Sequence, residues 1–102
     1  MKLTPVLALD AFPTHQLQEV TVAGHQVLLY RTEETVYAAQ ATCPHRAAPL
    51  AQGTCEGAVV ACPWHGARFD LRTGSRIGAP VCENLVTYET HVEGGQVYVM
   101  LP

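Results

Sequence analysis

The sequence of 102 residues has few charged side chains and no long apolar run. Six basic and nine acidic residues give a formal net charge of −3. A chain that is acidic overall gives no electrostatic reason to expect binding to nucleic acid or to an anionic membrane. The apolar stretch near the start, residues 3–9, is too short for a signal peptide or a membrane-spanning helix. We therefore expect a cytoplasmic protein that binds neither nucleic acid nor membrane.

Helical periodicity is also lacking, because no window keeps apolar residues at i, i+3, i+4 and i+7 for three turns. Short strand patterns at 20–22, 27–30 and 36–39 predict an antiparallel meander with turns at 24–25 and 33–34. Alternating apolar residues at 86–92 and 97–101, on either side of Gly94-Gly95, predict a hairpin. The fold class is therefore all-β, and the length fits a single domain over residues 1–102.

Between these two β regions, residues 43–80 contain four of the seven prolines and five of the eight glycines. Such residues predict loops with fixed backbone geometry, and loops of this kind commonly carry functional residues. We expect this segment to be an insertion within one domain.

The four cysteines, at positions 43, 55, 62 and 82, are expected to be thiols or metal ligands, since no secretion signal precedes them. Two of them stand in Cys43-Pro44-His45 and Cys62-Pro63-Trp64-His65, so each motif offers a thiolate and an imidazole. This donor set suits either a tetrahedral zinc or a two-iron cluster. Cys55 and Cys82 are interpreted as small hydrophobic residues without a metal, and a disulfide between them is a less favoured alternative.

Structural zinc sites usually pair like ligands at tight turns, whereas each loop here has a mixed pair. The arrangement resembles the Rieske family, in which two cysteines bind one iron and two histidines the other. The resemblance runs through residues 43–50, 53–57, 62–70 and 73–74 and the loop at Pro80. It implies antiparallel β-sheets with an inserted cluster-binding part at about 43–80, and a [2Fe-2S] cluster. It assigns Cys43 and Cys62 to the inner iron, and His45 and His65 to the outer, more exposed iron.

The resemblance also indicates which kind of Rieske protein this is. High-potential members carry an extra cysteine in each cluster loop, and a serine and a tyrosine that donate hydrogen bonds to cluster sulfurs. The matching positions here are Ala48, Trp64, Ala67 and Phe69. These residues can form neither a disulfide nor the hydrogen bonds that the serine and the tyrosine donate to cluster sulfurs. We therefore expect a potential near the low end of the Rieske range, roughly −150 mV.

A short chain of this pattern resembles the Rieske-type ferredoxins of bacterial ring-hydroxylating dioxygenase systems. The resemblance implies a one-electron carrier that is not a catalyst alone. It would receive electrons from a flavin-containing ferredoxin reductase, pass them transiently to a terminal oxygenase, and be a monomer. Two alternatives remain open, namely the small subunit of an assimilatory NADH-dependent nitrite reductase and a zinc-stabilised interaction module.

Several residues beside the ligands are expected to surround the cluster. Pro80 resembles the family's proline that covers the cluster. Trp64 is interpreted as packing beneath the loop or shielding the cluster, with a place in the docking surface as the alternative. We expect a docking patch around the two histidines, formed by Pro44, Arg46, Ala47, Trp64 and Pro80.

Four of the six basic residues fall between positions 46 and 76, and they are Arg46, Arg68, Arg72 and Arg76. Only Glu56 and Asp70 oppose them there, so the segment has a local charge of +2. The arginines either form a basic rim that attracts an acidic partner or pair with nearby carboxylates. The second interpretation is slightly favoured.

Overall fold

The computed structural model describes residues 2–33, 35–44, 48–64, 66–78 and 83–101. Its regular elements are strands and two short 3-10 segments, Leu9–Ala11 and Leu50–Gln52. The strands are β1 (Lys2–Ala8), β2 (Leu17–Val22), β3 (His25–Arg31), β4 (Val36–Gln40), β5 (Thr54–Glu56), β6 (Val59–Ala61), β7 (Arg68–Asp70), β8 (Arg76–Ile77), β9 (Thr87–Tyr88), β10 (Thr90–Glu93) and β11 (Gln96–Leu101). The all-β expectation is confirmed. Within the described ranges, no helix is long and apolar enough to cross a membrane.

Three antiparallel sheets are formed, with strand orders β1-β11-β10, β2-β3-β4-β9 and β5-β6-β7-β8. The predicted meander is confirmed as β2, β3 and β4. Its first turn lies one residue earlier than predicted, because Val22 pairs with His25 and leaves Ala23 and Gly24 as the turn. Both have positive φ, 50° and 82°, which a two-residue hairpin turn of type I′ requires. The second predicted turn includes Glu34, which lies outside the described residues.

The hairpin near the end of the sequence is confirmed as β10 and β11, with Gly94 and Gly95 at its turn. The prediction of one continuous strand over 86–92 is wrong. The chain changes sheets at Glu89, so that β9 pairs with β4 whereas β10 pairs with β11. The hydroxyl of Thr90 donates to the carbonyl of Val36 at 2.6 Å and ties the two sheets together there. A period of two continues across such a crossing, so alternation alone could not reveal it.

The β2-β3-β4-β9 sheet is the middle layer of the molecule. Residues 27–30 of β3 are all buried, and their side chains alternate between two cores. Val27 and Leu29 pack with Val97 and Val99 of β11, on the side of the first sheet. Leu28 and Tyr30 pack in a second core that contains residues of the β5–β8 sheet and of the loops beside it. The loop-rich middle of the sequence therefore rests on the opposite face of the central sheet.

Candidate metal centre

The two cysteine motifs lie in loops that the backbone closes in the same way. In the first, Leu50 N–H donates to Ala41 O at 3.0 Å and Cys43 N–H donates to Ala48 O at 2.9 Å. In the second, Ala61 pairs with Arg68 across β6 and β7, and Cys62 N–H donates to Ala67 O at 2.7 Å. Each closing bond thus joins a cysteine to the alanine five residues later.

Both cysteines lie at the base of their loops and are buried. The exposed fraction is 1% for Cys43 and 3% for Cys62, and both belong to the core that Leu28 and Tyr30 enter from β3. In the described part of the chain no cysteine forms a disulfide. A pair of buried thiols on two matched loops fits the inner iron of a two-iron cluster, because thiolates are its soft ligands and water is excluded around them.

The surroundings of the cysteines are apolar. Ala48, Ala67 and Phe69 are each at most 1% exposed, and all three lie in the same core as Cys43 and Cys62. These are three of the four positions at which high-potential relatives carry a thiol or hydroxyl. No side-chain hydrogen bond to a cluster sulfur can come from them, which supports the expectation of a low potential.

Of the predicted site residues, the structure describes only some. His45, Arg46, Ala47, His65 and Pro80 lie outside the described residues, as does Cys82. For this reason no group of three or more metal-binding side chains is found in the described ranges. The structure therefore describes the two cysteines, both buried, and the assignment of all four ligands stays a prediction.

Trp64 and Pro44 flank the two cysteines on the outside. Pro44 is half-buried, whereas the side chain of Trp64 is 63% exposed. The interpretation of Trp64 as packed beneath the loop is wrong, because its ring lies on the surface. A large exposed indole beside a cluster loop suits a contact surface, since tryptophan is enriched at protein interfaces.

A cluster of polar groups that the sequence did not predict lies at the end of the β2–β3 hairpin opposite its turn. The Tyr30 hydroxyl, on a ring only 2% exposed, is 3.3 Å from Nδ1 of His15 and also hydrogen-bonded to the half-buried thiol of Cys55. Burial raises the pKa of Cys55 to about 11, although the bond to Tyr30 works against the increase. Burial also raises the pKa of Tyr30. Nothing in the sequence brings residues 15, 30 and 55 together. Cys55 is a free thiol in the structure, whereas Cys82, its partner in the alternative disulfide, lies outside the described residues.

The arginines of the basic segment differ in their partners. Arg72 makes a two-point contact with Asp70, with Nε to Oδ1 and Nη2 to Oδ2 both at 3.0 Å. This hydrogen bonding to Arg72 lowers the pKa of the Asp70 carboxyl. Pairing with a carboxylate is thus confirmed for Arg72, whereas Arg68 and Arg76 have no such partner among the described residues.

A family model for the Rieske [2Fe-2S] domain matches residues 2–89. The chain belongs to the Rieske family. It therefore holds a Rieske-type [2Fe-2S] cluster, which gives and takes one electron at a time, and it is an electron carrier. This result decides between the two metals that the donor set left open, in favour of iron.

Relatives and solved structures agree with this membership in the Rieske family. The chain is 38% identical over 100 residues to the naphthalene 1,2-dioxygenase system ferredoxin component of Pseudomonas aeruginosa, covering 98% of this chain and 96% of that protein. The ferredoxin of carbazole 1,9a-dioxygenase from Nocardioides aromaticivorans IC177 superposes with a TM-score of 0.90 at 29% identity, covering 97% of each chain.

A ferredoxin solved in complex with the reduced oxygenase of carbazole 1,9a-dioxygenase gives a TM-score of 0.87 at 33% identity, covering 95% of this chain and 91% of that one. A nitrite reductase small subunit from Mycobacterium tuberculosis gives 0.85 at 24% identity, covering 96% of this chain and 93% of that one. The second likeness shows a shared fold only.

Proposed function

We propose that this Rieske protein is the ferredoxin component of an oxygenase system. It receives single electrons from a flavin-containing ferredoxin reductase and passes them to a terminal oxygenase. The observation that carries the proposal is the pair of matched cysteine loops, in a chain that is 38% identical to a dioxygenase ferredoxin component over nearly the full length of both. A small carrier with its cluster close to the surface suits brief electron-transfer encounters, which bury little area.

Within this proposal, Cys43 and Cys62 bind the inner iron, and His45 and His65 bind the outer one. Burial of both cysteines supports their assignment to the inner position. The histidines stand two and three residues after the cysteines, within the residues that each closing hydrogen bond encloses. Imidazoles in such loops would be nearer to solvent than the thiolates, as an exit for electrons requires.

The remaining features of the proposal concern the whole chain. The chain forms a single domain over residues 1–102, with the cluster-binding part at about 43–80. Pro44, Arg46, Trp64 and Pro80 cover the cluster or form the docking patch, and the large exposed fraction of Trp64 supports the docking role. The protein acts as a monomer in the cytoplasm and meets each partner transiently.

The alternative, a nitrite reductase small subunit, has the support of a shared fold alone. Fold does not determine the redox partner, because one fold serves several pathways. The dioxygenase ferredoxin assignment is favoured because it rests on sequence identity as well as on fold.

The test begins with the protein purified without oxygen. Iron and acid-labile sulfide should each be two per chain, and dithionite should produce the rhombic EPR signal of a histidine-ligated two-iron cluster. The reduced protein is then offered to the terminal oxygenase of a naphthalene dioxygenase system, with that system's own ferredoxin as the positive control. We expect oxygenase reduction and product formation.

A parallel arm uses an assimilatory nitrite reductase from which the small subunit has been removed. If the chain restored nitrite reduction and failed to reduce the oxygenase, the nitrite reductase assignment would replace the present one. A chain without iron would contradict the carrier function altogether.

A further inference from the structure

Of the three described arginines in the basic segment, the two without a carboxylate partner lie on β7 and β8. In the turn that follows β7, the charge of Arg72 is neutralised by its two-point contact with Asp70. At the opposite end of the hairpin, next to the second cysteine loop, Arg68 begins β7 and pairs with Ala61, which directly precedes Cys62. Arg68 is therefore the described arginine closest along the hairpin to a cluster loop.

Arg68 and Arg76 approach the same glycine. Nη1 of Arg76 donates to the carbonyl oxygen of Gly78 at 3.1 Å, and a Cβ at Gly78 would lie 3.4 Å from Nη2 of Arg68. Within the described ranges neither guanidinium has a carboxylate within 4.0 Å. Nε of Arg76 is buried and has no hydrogen-bond partner there. Two guanidinium groups thus lie beside Gly78, and neither is paired with a carboxylate in the part of the chain that the structure describes.

Guanidinium groups in this arrangement favour an anion between or over them. Their repulsion is relieved by a negative charge, and a carboxylate accepts hydrogen bonds from such forked donors at two points. The exposed arginine and the exposed Trp64 are also residue types that are enriched at protein interfaces. The net charge of −3 disfavours a polyanion as occupant, whereas a single carboxylate would meet the two positive charges of Arg68 and Arg76 here.

We propose that Arg68 and Arg76 form a carboxylate-binding site beside the second cluster loop, which holds an Asp or Glu side chain of the electron-transfer partner. The inference rests on the proposed function, because it takes the partner to be a protein that exchanges electrons with the cluster. The site fixes the orientation of that partner and raises the rate of encounter at low salt.

Arg68→Gln and Arg72→Gln are a matched pair of variants, because each removes one positive charge from an exposed side chain of the same hairpin. The reduced holoprotein is mixed at low ionic strength with hexacyanoferrate(III), an anion, and separately with the cation tris(phenanthroline)cobalt(III). For Arg68→Gln we expect the rate with the anion to fall about 3- to 10-fold and the rate with the cation to rise. Arg72→Gln should change both rates less than about 1.5-fold, and raising the salt to about 0.5 M should remove the differences.

The naphthalene dioxygenase oxygenase is the protein probe. Its rate of reduction should fall in Arg68→Gln and stay near wild type in Arg72→Gln. Arg68→Lys should restore the hexacyanoferrate rate but not the oxygenase rate. A lysine keeps the positive charge but lacks the paired N–H donors with which a guanidinium binds a carboxylate at two points. Arg76→Gln, with cluster absorption as the check of folding, should add little to Arg68→Gln if both residues hold one carboxylate.

Equal effects of Arg68→Gln and Arg72→Gln on hexacyanoferrate would overturn the site. An effect on hexacyanoferrate without any effect on the oxygenase would make the occupant a small free anion and overturn the docking role. Failure of the wild-type chain to reduce the oxygenase would count against the proposed function instead, and the two small oxidants would still test the basic site.

Discussion

The backbone N–H of Cys62 donates to the carbonyl of Ala67 at 2.7 Å, and the same bond joins Cys43 to Ala48 at 2.9 Å. The two loops share this closure although their motifs differ in the number of residues between cysteine and histidine. Four residues lie inside each closing bond, so a histidine at either the second or the third position after the cysteine is held within the loop. The two motifs of unequal spacing thus stand in loops of equal length.

Cysteine substitutions separate ligands from other thiols. Cys62→Ala and Cys43→Ala should each abolish cluster binding, because a two-iron cluster that loses one of its two thiolate ligands is not retained. We expect less than a tenth of the wild-type iron and sulfide per chain and no visible absorption. The measurement is metal and sulfide analysis of protein purified without oxygen.

Cys55→Ala is the matched control, because Cys55 is a partly buried thiol packed against the same core. Its iron content should equal that of the wild type. Loss of iron in Cys55→Ala, or its retention in Cys62→Ala, would contradict the ligand assignment.

A hydroxyl at position 67 should raise the reduction potential. Ala67 is 1% exposed and matches the serine of high-potential relatives, so Ala67→Ser introduces a donor beside the cluster in dry surroundings. A hydrogen bond to sulfur stabilises the more negative reduced cluster. If it favours the reduced state by about 1 kcal/mol, the potential rises by on the order of 50 mV. Protein-film voltammetry measures the shift.

Ala48→Ser is the control for this substitution, since Ala48 closes the first loop and is equally buried. The resemblance gives position 48 no hydroxyl donor, so its potential should move much less. Equal shifts in the two variants would show that added polarity, rather than a specific bond to sulfur, sets the potential.

Gly74 is required by two constraints, whereas Gly24 is subject to one. Both have φ of +82°, which disfavours any residue with a Cβ. A Cβ at Gly74 would in addition collide with the carbonyl oxygen of Leu85. The two residues are held close together, because Leu85 N–H donates a hydrogen bond to Gly74 O at 2.8 Å. A Cβ at Gly24 meets no described atom within 4 Å.

We therefore expect Gly24→Ala to destabilise the protein by about 1 kcal/mol and Gly74→Ala by about 3 kcal/mol or more. In a domain of this size these changes correspond to decreases in Tm of about 5 °C and about 15 °C. Thermal loss of cluster absorption and of the far-UV circular dichroism signal gives the midpoints. Equal decreases would show that backbone strain alone matters at Gly74.

The parts of the fold that could be predicted are those that depend on residues close together in the sequence. The turn at Gly94-Gly95 lies between strands of period two, and the spacing of Cys43 and Cys62 from their histidines is contained in a few residues. The family and the cofactor followed from such short motifs. They are confirmed by the matching family model.

The parts that could not be predicted depend on contacts between distant residues. The change of sheet at Glu89 is set by pairing with β4 and β11, and the alternating pattern is the same on either side. The sequence interpretation placed Trp64 beneath its loop or over the cluster as a shield, yet its side chain is 63% exposed. The contact of Tyr30 with His15 and Cys55 joins three separate segments.

The Cys55 thiol should resist alkylation at mildly alkaline pH. Burial raises its pKa from an ordinary value of 9.0 to about 11, so little thiolate is present at pH 9. Because the folded pKa lies above the unfolded one, the stability that this thiol contributes is complete below pH 9 and is lost as the pH rises toward 11. Iodoacetamide labelling of the holoprotein, followed by mass spectrometry of the Cys55 peptide, should give a rate that rises with a midpoint near pH 11.

Tyr30→Phe tests the hydroxyl that opposes this increase. The bond from Tyr30 lowers the pKa of Cys55, so its removal should move the labelling midpoint to higher pH, because the thiolate loses its donor while burial remains. His15→Gln leaves the bond between Tyr30 and Cys55 in place and should keep the wild-type midpoint. A midpoint at or below pH 9 in the wild type would contradict the raised pKa, and a lower midpoint in Tyr30→Phe would show that the hydroxyl does not stabilise the thiolate.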